Sequence, residues 1–310
     1  MATALITHAA CLEHDPGPYH PECPDRLRAV LKALNAPEFA ALIREEAPRA
    51  TKEQLVRVHP ANIVDAILAI QPVEGDTINI DADTAMSSGS AEAALRAAGA
   101  AVLGVDLVMR GAAANAFAAV RPPGHHAEPS RPMGFCLFNN AGVAAQHARV
   151  AHGLKRVAVV DFDVHHGNGT QALFAQNPEL FYGSTHQHPF YPGTGDAWER
   201  GIANNVINVP LRARDSSDAF RAAWGGTIIP ALDLFAPEFL IISAGFDAHR
   251  EDPLAQLRLE TEDFAWITDA LLTVARRHAD GRLVSVLEGG YDLEALAASA
   301  AIHVRGLMNA

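Results

Sequence analysis

From about residue 116 to its end, the chain alternates short apolar runs rich in Val, Ile and Phe with longer stretches of helical periodicity. A β-branched run between polar, Gly-containing breaks reads as a strand buried on both faces. The helices between such runs act as crossovers, so the strands are parallel. The pattern predicts strands over 116–120, 157–160, 180–183, 206–211, 239–243 and 283–287. It joins them by helices over 140–152, 170–176, 217–235 and 261–279, with a closing helix over 293–308. Upstream, Ala2 to Ile6 form a further strand, and Pro24 opens a helix presenting Leu27, Val30, Leu31 and Leu34. Thr51-x-x-Gln54 has the form of a capping box, and Ile63, Ile67 and Ile70 follow His59-Pro60 at helical spacing. A polar loop over 71–88 leads into an Ala-rich helix over 90–110. No linker, low-complexity tract or repeat divides the chain. The expectation is one α/β domain over 1–310, a central parallel sheet with helices on both faces and right-handed crossovers.

Sheets of this kind keep their chemistry at the carboxyl ends of the strands. Four segments there are rich in reactive side chains: Arg121-Pro-Pro-Gly-His125-His126, Asp161-Phe-Asp163-Val-His165-His166-Gly-Asn168, Ala244-Gly-Phe-Asp247-Ala-His249 and Glu288-Gly289-Gly290-Tyr291-Asp292. Asp163 and His165, two apart, share a side of extended backbone if the strand continues through them. With Asp247 they make a set of two oxygens and one nitrogen that leaves a position open for water and substrate. Zinc suits it best, while iron(II), cobalt and manganese are compatible with a carboxylate-rich set. The plainer reading, polar caps at a strand end, leaves the density of reactive groups unexplained.

His125 and His126 follow a glycine that permits close backbone approach. Adjacent histidines alone are a weak signal, and their partners strengthen it. Asp161 could accept a hydrogen bond from one imidazole and keep it charged, whereas Asn168 could only orient the other. Different partners allow different pKa values and hence separate electrostatic and general-base roles. Tyr291 follows two glycines, so its loop can fold over a pocket and its phenol can donate to an oxyanion; a packed loop aromatic would fit the same pattern. Phe135, in Gly134-Phe-Cys136, and Tyr191, in Phe190-Tyr-Pro-Gly, fit either the walls of a narrow channel or core positions. His8, His14 and His20, set among prolines, together with 76–88, suggest a pocket rim.

Of the 310 residues 49% are hydrophobic and 19% charged, an ordinary globular composition. A net charge of −12 argues against general affinity for the nucleic-acid backbone and suits basic protein tails. Cys11, Cys23 and Cys136 are odd in number and widely spaced, which fits a reducing cytoplasm better than a disulfide framework. Met1 to His8 show no secretion signal, and no apolar run is long enough to span a membrane. Homo-oligomerisation is left open.

Taken together, these motifs resemble the zinc-dependent histone deacetylase family, which includes acetylpolyamine amidohydrolases and bacterial deacetylase-like amidohydrolases. The likeness runs from about His14 to Tyr291 and rests on Arg121 to Ala127, Asp161 to Thr170, Gly245-Phe-Asp247 and Glu288-Gly-Gly-Tyr291, all in family order. It implies an arginase-like α/β fold and hydrolysis of an N-acetyl amide on an acetylated protein, peptide or polyamine. It makes Asp163, His165 and Asp247 the zinc ligands and His126 the general base and acid. His125, paired with Asp161, would act electrostatically, and Tyr291 would polarise the acetyl carbonyl. Gly134, Phe135, Tyr191, Leu254 and Gly289 would line the substrate channel. A structural potassium ion would use main-chain oxygens near Asp161, Asp163 and His165 with Ser184. Asn168, where class I enzymes carry Asp, together with His20-Pro-Glu, resembles the class II branch; Tyr191 replaces the usual Phe. Polyamine-preferring relatives carry an acidic gatekeeper where Leu254 stands, which favours acetyl-lysine here.

Two rival readings belong beside this one. A non-catalytic acetyl-lysine binder would not need His126, Tyr291 and a full ligand set. A binuclear manganese ureohydrolase shares the fold expectation, but Gly245-Phe-Asp247-Ala-His supplies only one Asp, so a second metal lacks carboxylates. His166 has no assigned task beyond structure.

Overall fold

The computed structural model describes Ala2 to Ala310; Met1 lies outside the described residues. The strands, in chain order, are β1 (Ala4–Thr7), β2 (Ile43–Glu46), β3 (Ile78–Asn79), β4 (Ala85–Met86), β5 (Ala116–Ala118), β6 (Val157–Asp161), β7 (Leu180–Gln187), β8 (Val206–Leu211), β9 (Phe239–Ala244) and β10 (Leu283–Leu287). The helices are α1 (Pro24–Ala33), α2 (Lys52–Leu55), α3 (Ala61–Ala69), α4 (Ser90–Met109), α5 (Asn140–His152), α6 (Asn168–Phe174), α7 (Ser217–Ala223), α8 (Ile229–Phe235), α9 (Thr261–His278) and α10 (Leu293–Met308).

Eight strands make one sheet in the order β2-β1-β5-β10-β9-β6-β7-β8, with every pairing parallel. Residues of β5, β6, β7, β9 and β10 are buried throughout, as a sheet covered on both faces requires. Alternation along β10 shows the two faces. Val284 meets Gly104 of α4, where an added Cβ would approach it to 3.1 Å, while its neighbour Ser285 turns the other way to His303 of α10 at 2.8 Å. Both boundaries of α5 fall where the sequence places them. Asn139 accepts from the Gly142 amide at its start, and Gly153 ends it at φ 71°.

Three expectations shift. Strand β7 runs on to Gln187, four residues past the expected end, because Ser184 to Gln187 find partners Asn208 to Leu211 on β8. The helix expected over 217–235 is two helices joined by a π-helical turn, Trp224–Ile228, at Gly225-Gly226 and ahead of Pro230. The loop over 71–88 holds the β3–β4 hairpin, and the charged edge strand β2 has no apolar alternation to announce it.

The strand order places the chemistry. β9 and β10 come last in the chain yet insert between β5 and β6. The segments after β5, β10, β9 and β6 therefore stand side by side at one edge.

Candidate active site

Strand β6 ends at Asp161, and the chain then turns instead of continuing extended. The turn is built by its own carboxylates: Asp161 Oδ1 accepts from the Asp163 amide at 3.1 Å and Asp163 Oδ1 from the His165 amide at 2.9 Å. Asp163 and His165 thus converge through a bend, and the expected shared side of an extended strand is replaced by these Asp-centred turns. From the segment after β9, Asp247 joins them, its Oδ1 accepting from the Val164 amide at 2.8 Å. His165 Nδ1 lies 3.1 Å from Asp163 Oδ1 and 3.1 Å from Asp247 Oδ2. One ligand atom from each residue lies within 4.8 Å of the others, and all three residues are buried.

This set fits a divalent cation. Nδ1 carries at most one hydrogen, yet two carboxylate oxygens sit equally near it. Burial pushes the His165 imidazole down, but the two carboxylates raise it to about 10. Burial and the neighbouring charge of Asp163 push Asp247 up to about 7. The two carboxylates repel one another, and a positive charge placed between them relieves that repulsion.

Beside the cluster, the rings of His125 and His126 lie 4.0 Å apart, and their partners differ. His125 Nδ1 is 3.0 Å from Asp161 Oδ2, which also accepts from the Tyr182 hydroxyl at 3.0 Å. Burial disfavours its charge, but Asp163 and Asp161 outweigh burial and hold it well above the ordinary histidine value. His126 Nδ1 is 2.8 Å from Asn168 Oδ1. The Asn168 amide nitrogen donates to Glu128 Oε1 at 2.8 Å, an acceptor-only partner, so the amide oxygen is the atom facing His126. His126 therefore donates from Nδ1 and keeps its Nε2 lone pair free. Burial, then the charges of His125 and His165, hold it well below the ordinary value.

The Histone deacetylase domain family matches residues 20–307 of this sequence. The chain belongs to the histone deacetylase family. It is 38% identical to the histone deacetylase-like amidohydrolase of Pseudomonas aeruginosa, over 93% of this chain and 81% of that protein. It is 36% identical to the chloroplastic histone deacetylase 14 of Arabidopsis thaliana, over 99% of this chain and 77% of the relative. The crystal structure of the HDA15 HD domain superposes with a TM-score of 0.93 at 37% identity, covering 99% of this chain and 88% of that one. The arginase-like architecture expected of a deacetylase-family hydrolase is thereby shown.

In this histone deacetylase-family chain, a pocket of about 130 Å³ brings His126, His165 and Tyr291 together with Phe135, Tyr191 and Leu254, and with Asp83 and Gly134. That volume is well below the roughly 300–1,000 Å³ of drug-sized sites and suits a slim aliphatic arm. Tyr191 meets the His126 ring edge-on at 5.1 Å, and Phe135 meets Tyr291 edge-on at 6.0 Å, so both expected aromatics are wall residues and not core. Gly134 and Phe135 have φ of 58° and 68°. A phenylalanine there costs about 1–3 kcal/mol of backbone strain. It is held by Thr84, whose Oγ1 accepts from the Phe135 amide at 3.0 Å.

Gly289 lies elsewhere than expected: it backs the metal cluster instead of lining the pocket. Its amide donates to Asp163 Oδ2 at 2.8 Å, and a Cβ there would come within 2.1 Å of Asp247 Oδ2. Ser184 pairs with Asp161 in the β6–β7 register. Of the three rim histidines only His20 reaches the pocket wall, packing on Phe135 at 4.7 Å. His8 caps the turn Ala9–Leu12, and His14 is buried against Glu22 at 3.2 Å. His166 bonds Thr194 and Gln171, each at 2.8 Å, a structural role.

Four residues have supporting roles that the sequence reading did not assign. Buried Glu288 accepts from the Gly124 amide at 2.6 Å and the His125 amide at 3.2 Å, fixing the histidine loop. Arg26 donates to Gly290 O at 2.5 Å and Glu288 O at 2.6 Å, and its guanidinium lies 4.7 Å from the Tyr291 ring centre. An arginine on the apolar face of α1, beside Leu27 and Val30, was the available signal. Asp252 takes the Tyr291 amide at 2.7 Å and the Leu254 amide at 2.9 Å, tying together two pocket residues. Asp83 brings a carboxylate to the pocket and accepts from the Gly134 amide at 3.1 Å.

Proposed function

We propose that this chain removes acetyl groups from N-acetyl-lysine side chains by hydrolysis. The observation that carries the reading is the pair of adjacent histidines with opposite partners, Asp161 and Asn168, beside a three-ligand cluster at a slim pocket. Asp163, His165 and Asp247 would hold one divalent ion, zinc by donor chemistry with iron(II) or cobalt as substitutes. Such an ion supplies Lewis-acid polarisation and a bound water of lowered pKa. Neutral His126 takes a proton at Nε2 as water attacks the acetyl carbonyl, and later gives it to the departing amine. Charged His125, held by Asp161, balances negative charge beside the cluster. The Tyr291 hydroxyl donates to the carbonyl oxygen as charge builds there. Phe135 and Tyr191 flank the lysine methylenes. A potassium ion near Asp161, Asp163, His165 and Ser184 would brace the same turns.

Removing divalent ions with a chelator should reduce acetate release from acetyl-lysine peptides to background, and zinc should restore it. Undiminished turnover by metal-free protein would sink the reading.

A second reading, an acetylpolyamine or small-amide hydrolase, draws support from the Asp83 carboxylate at the pocket. Leu254, the apolar wall opposite in character, favours acetyl-lysine. Leu254→Glu should shift relative kcat/KM toward acetylputrescine and acetylspermidine by about fivefold, the upper end for a partly exposed ion pair. Wild-type protein that already prefers those amines to acetyl-lysine peptides would favour the second reading.

A further inference from the structure

A second cluster of metal-ligand type lies away from the pocket and shares no residue with it. Asp106 stands in the last turn of α4, and His147 and His152 stand in the last two turns of α5. His147 Nε2 is 2.8 Å and His152 Nε2 2.7 Å from one and the same oxygen, Asp106 Oδ1, and the two rings are 5.5 Å apart. The three ligand atoms fall within 4.8 Å of one another. The side chains are 38%, 8% and 24% exposed for Asp106, His147 and His152, so solvent ions reach them.

We propose that Asp106, His147 and His152 form a peripheral divalent-metal site for a zinc-like ion, clamping the carboxyl end of α4 to that of α5. The donor set is two imidazole nitrogens and one carboxylate oxygen, which suits zinc, nickel or cobalt far better than calcium or magnesium. Water from the exposed side completes the shell. An ion about 2.0 Å from each ligand in tetrahedral geometry needs ligand atoms about 3.3 Å apart. The present contacts must therefore open by roughly half an ångström, a small change for side chains at the surface. The carboxyl ends of α4 and α5 meet here, and the negative ends of two helix dipoles favour a cation.

One group opposes the ion. Arg57 Nη1 lies 3.3 Å from His147 Nδ1, and a metal on Nε2 requires that Nδ1 carry the proton. Arg57 also donates to Glu53 Oε1 at 2.9 Å, so it has a partner to keep when it releases the ring.

The test is a count of bound zinc. The chelator-stripped 310-residue chain is dialysed to equilibrium against zinc and its metal content measured, for wild type and for His152→Ala. The expected result is one ion fewer per chain in His152→Ala, whatever the count at Asp163, His165 and Asp247, with deacetylation at saturating zinc unchanged. Equal counts overturn the proposal. Zinc should also raise the Tm of wild type more than that of the variant. Should His152→Ala fail to fold, Arg57→Ala decides: removing the opposing charge should tighten the weaker of the wild-type zinc steps several-fold, and an unchanged affinity overturns the proposal.

Discussion

Replacing His126 by Ala should lower kcat by about 10²- to 10⁴-fold, the usual worth of a positioned general base, while metal content stays at the wild-type level. The magnitude follows from geometry. Asn168 accepts at Nδ1, which leaves Nε2 as the only proton acceptor this ring presents to the pocket. The direction of the pH dependence follows from the same contacts. Burial, then the charge of His125, hold His126 well below the ordinary histidine value, so its base form persists into mildly acidic solution. Turnover should therefore fall only as pH drops well below about 6.5. Asn168→Asp, which places a negative charge at Nδ1, should raise that pKa and move the acid limb to higher pH. A His126→Ala enzyme within threefold of wild type, with its metal intact, would end the assignment of His126 as base.

Tyr291→Phe is the second large effect, a loss of about 10²- to 10³-fold in kcat, or about 2.7–4 kcal/mol, with KM nearly unchanged. The variant removes one oxygen and little else. Arg26 still stacks on the ring, Phe135 still meets it edge-on, and Asp252 still takes the backbone amide. Burial, with Asp247 and Asp163 nearby, holds the phenol well above its ordinary value despite the Arg26 charge. It therefore remains a donor across the working range, and no alkaline loss of activity below about pH 10 should trace to it. Kinetics on acetyl-lysine peptides with metal analysis on the same sample test this. A drop in KM-related binding alone, with kcat retained, would assign Tyr291 to packing.

The reactive residues were legible because each lies in a short segment of unusual composition directly after an apolar run. Asp161, Asp163, His165, His125, His126, Asp247 and Tyr291 all announce themselves that way. The supporting contacts were not legible. Glu288 reaches the amides of Gly124 and His125 across 164 and 163 positions of sequence, and Arg26 reaches Gly290 across 264. Asp252 and Asp83 lie in loops, and only the fold sets them against the pocket residues Tyr291, Leu254 and Gly134. The family resemblance implies a place in the channel wall for Gly289. The structure turns it toward Asp163 and Asp247, where only a hydrogen fits.

Local periodicity and side-chain chemistry are properties of near neighbours, so what depends on them is readable along the chain: a parallel α/β sheet, the elements on either side of it, and the chemical character of each strand end. Strand order depends on which buried faces pack best over the whole chain, a long-range property that no local pattern carries. By inserting β9 and β10 between β5 and β6, the fold brings Asp247 to Asp163 and His165, and Glu288 to the histidine loop. The same long-range packing brings Asp106 of α4 against His147 and His152 of α5, a contact that no spacing in the sequence announces.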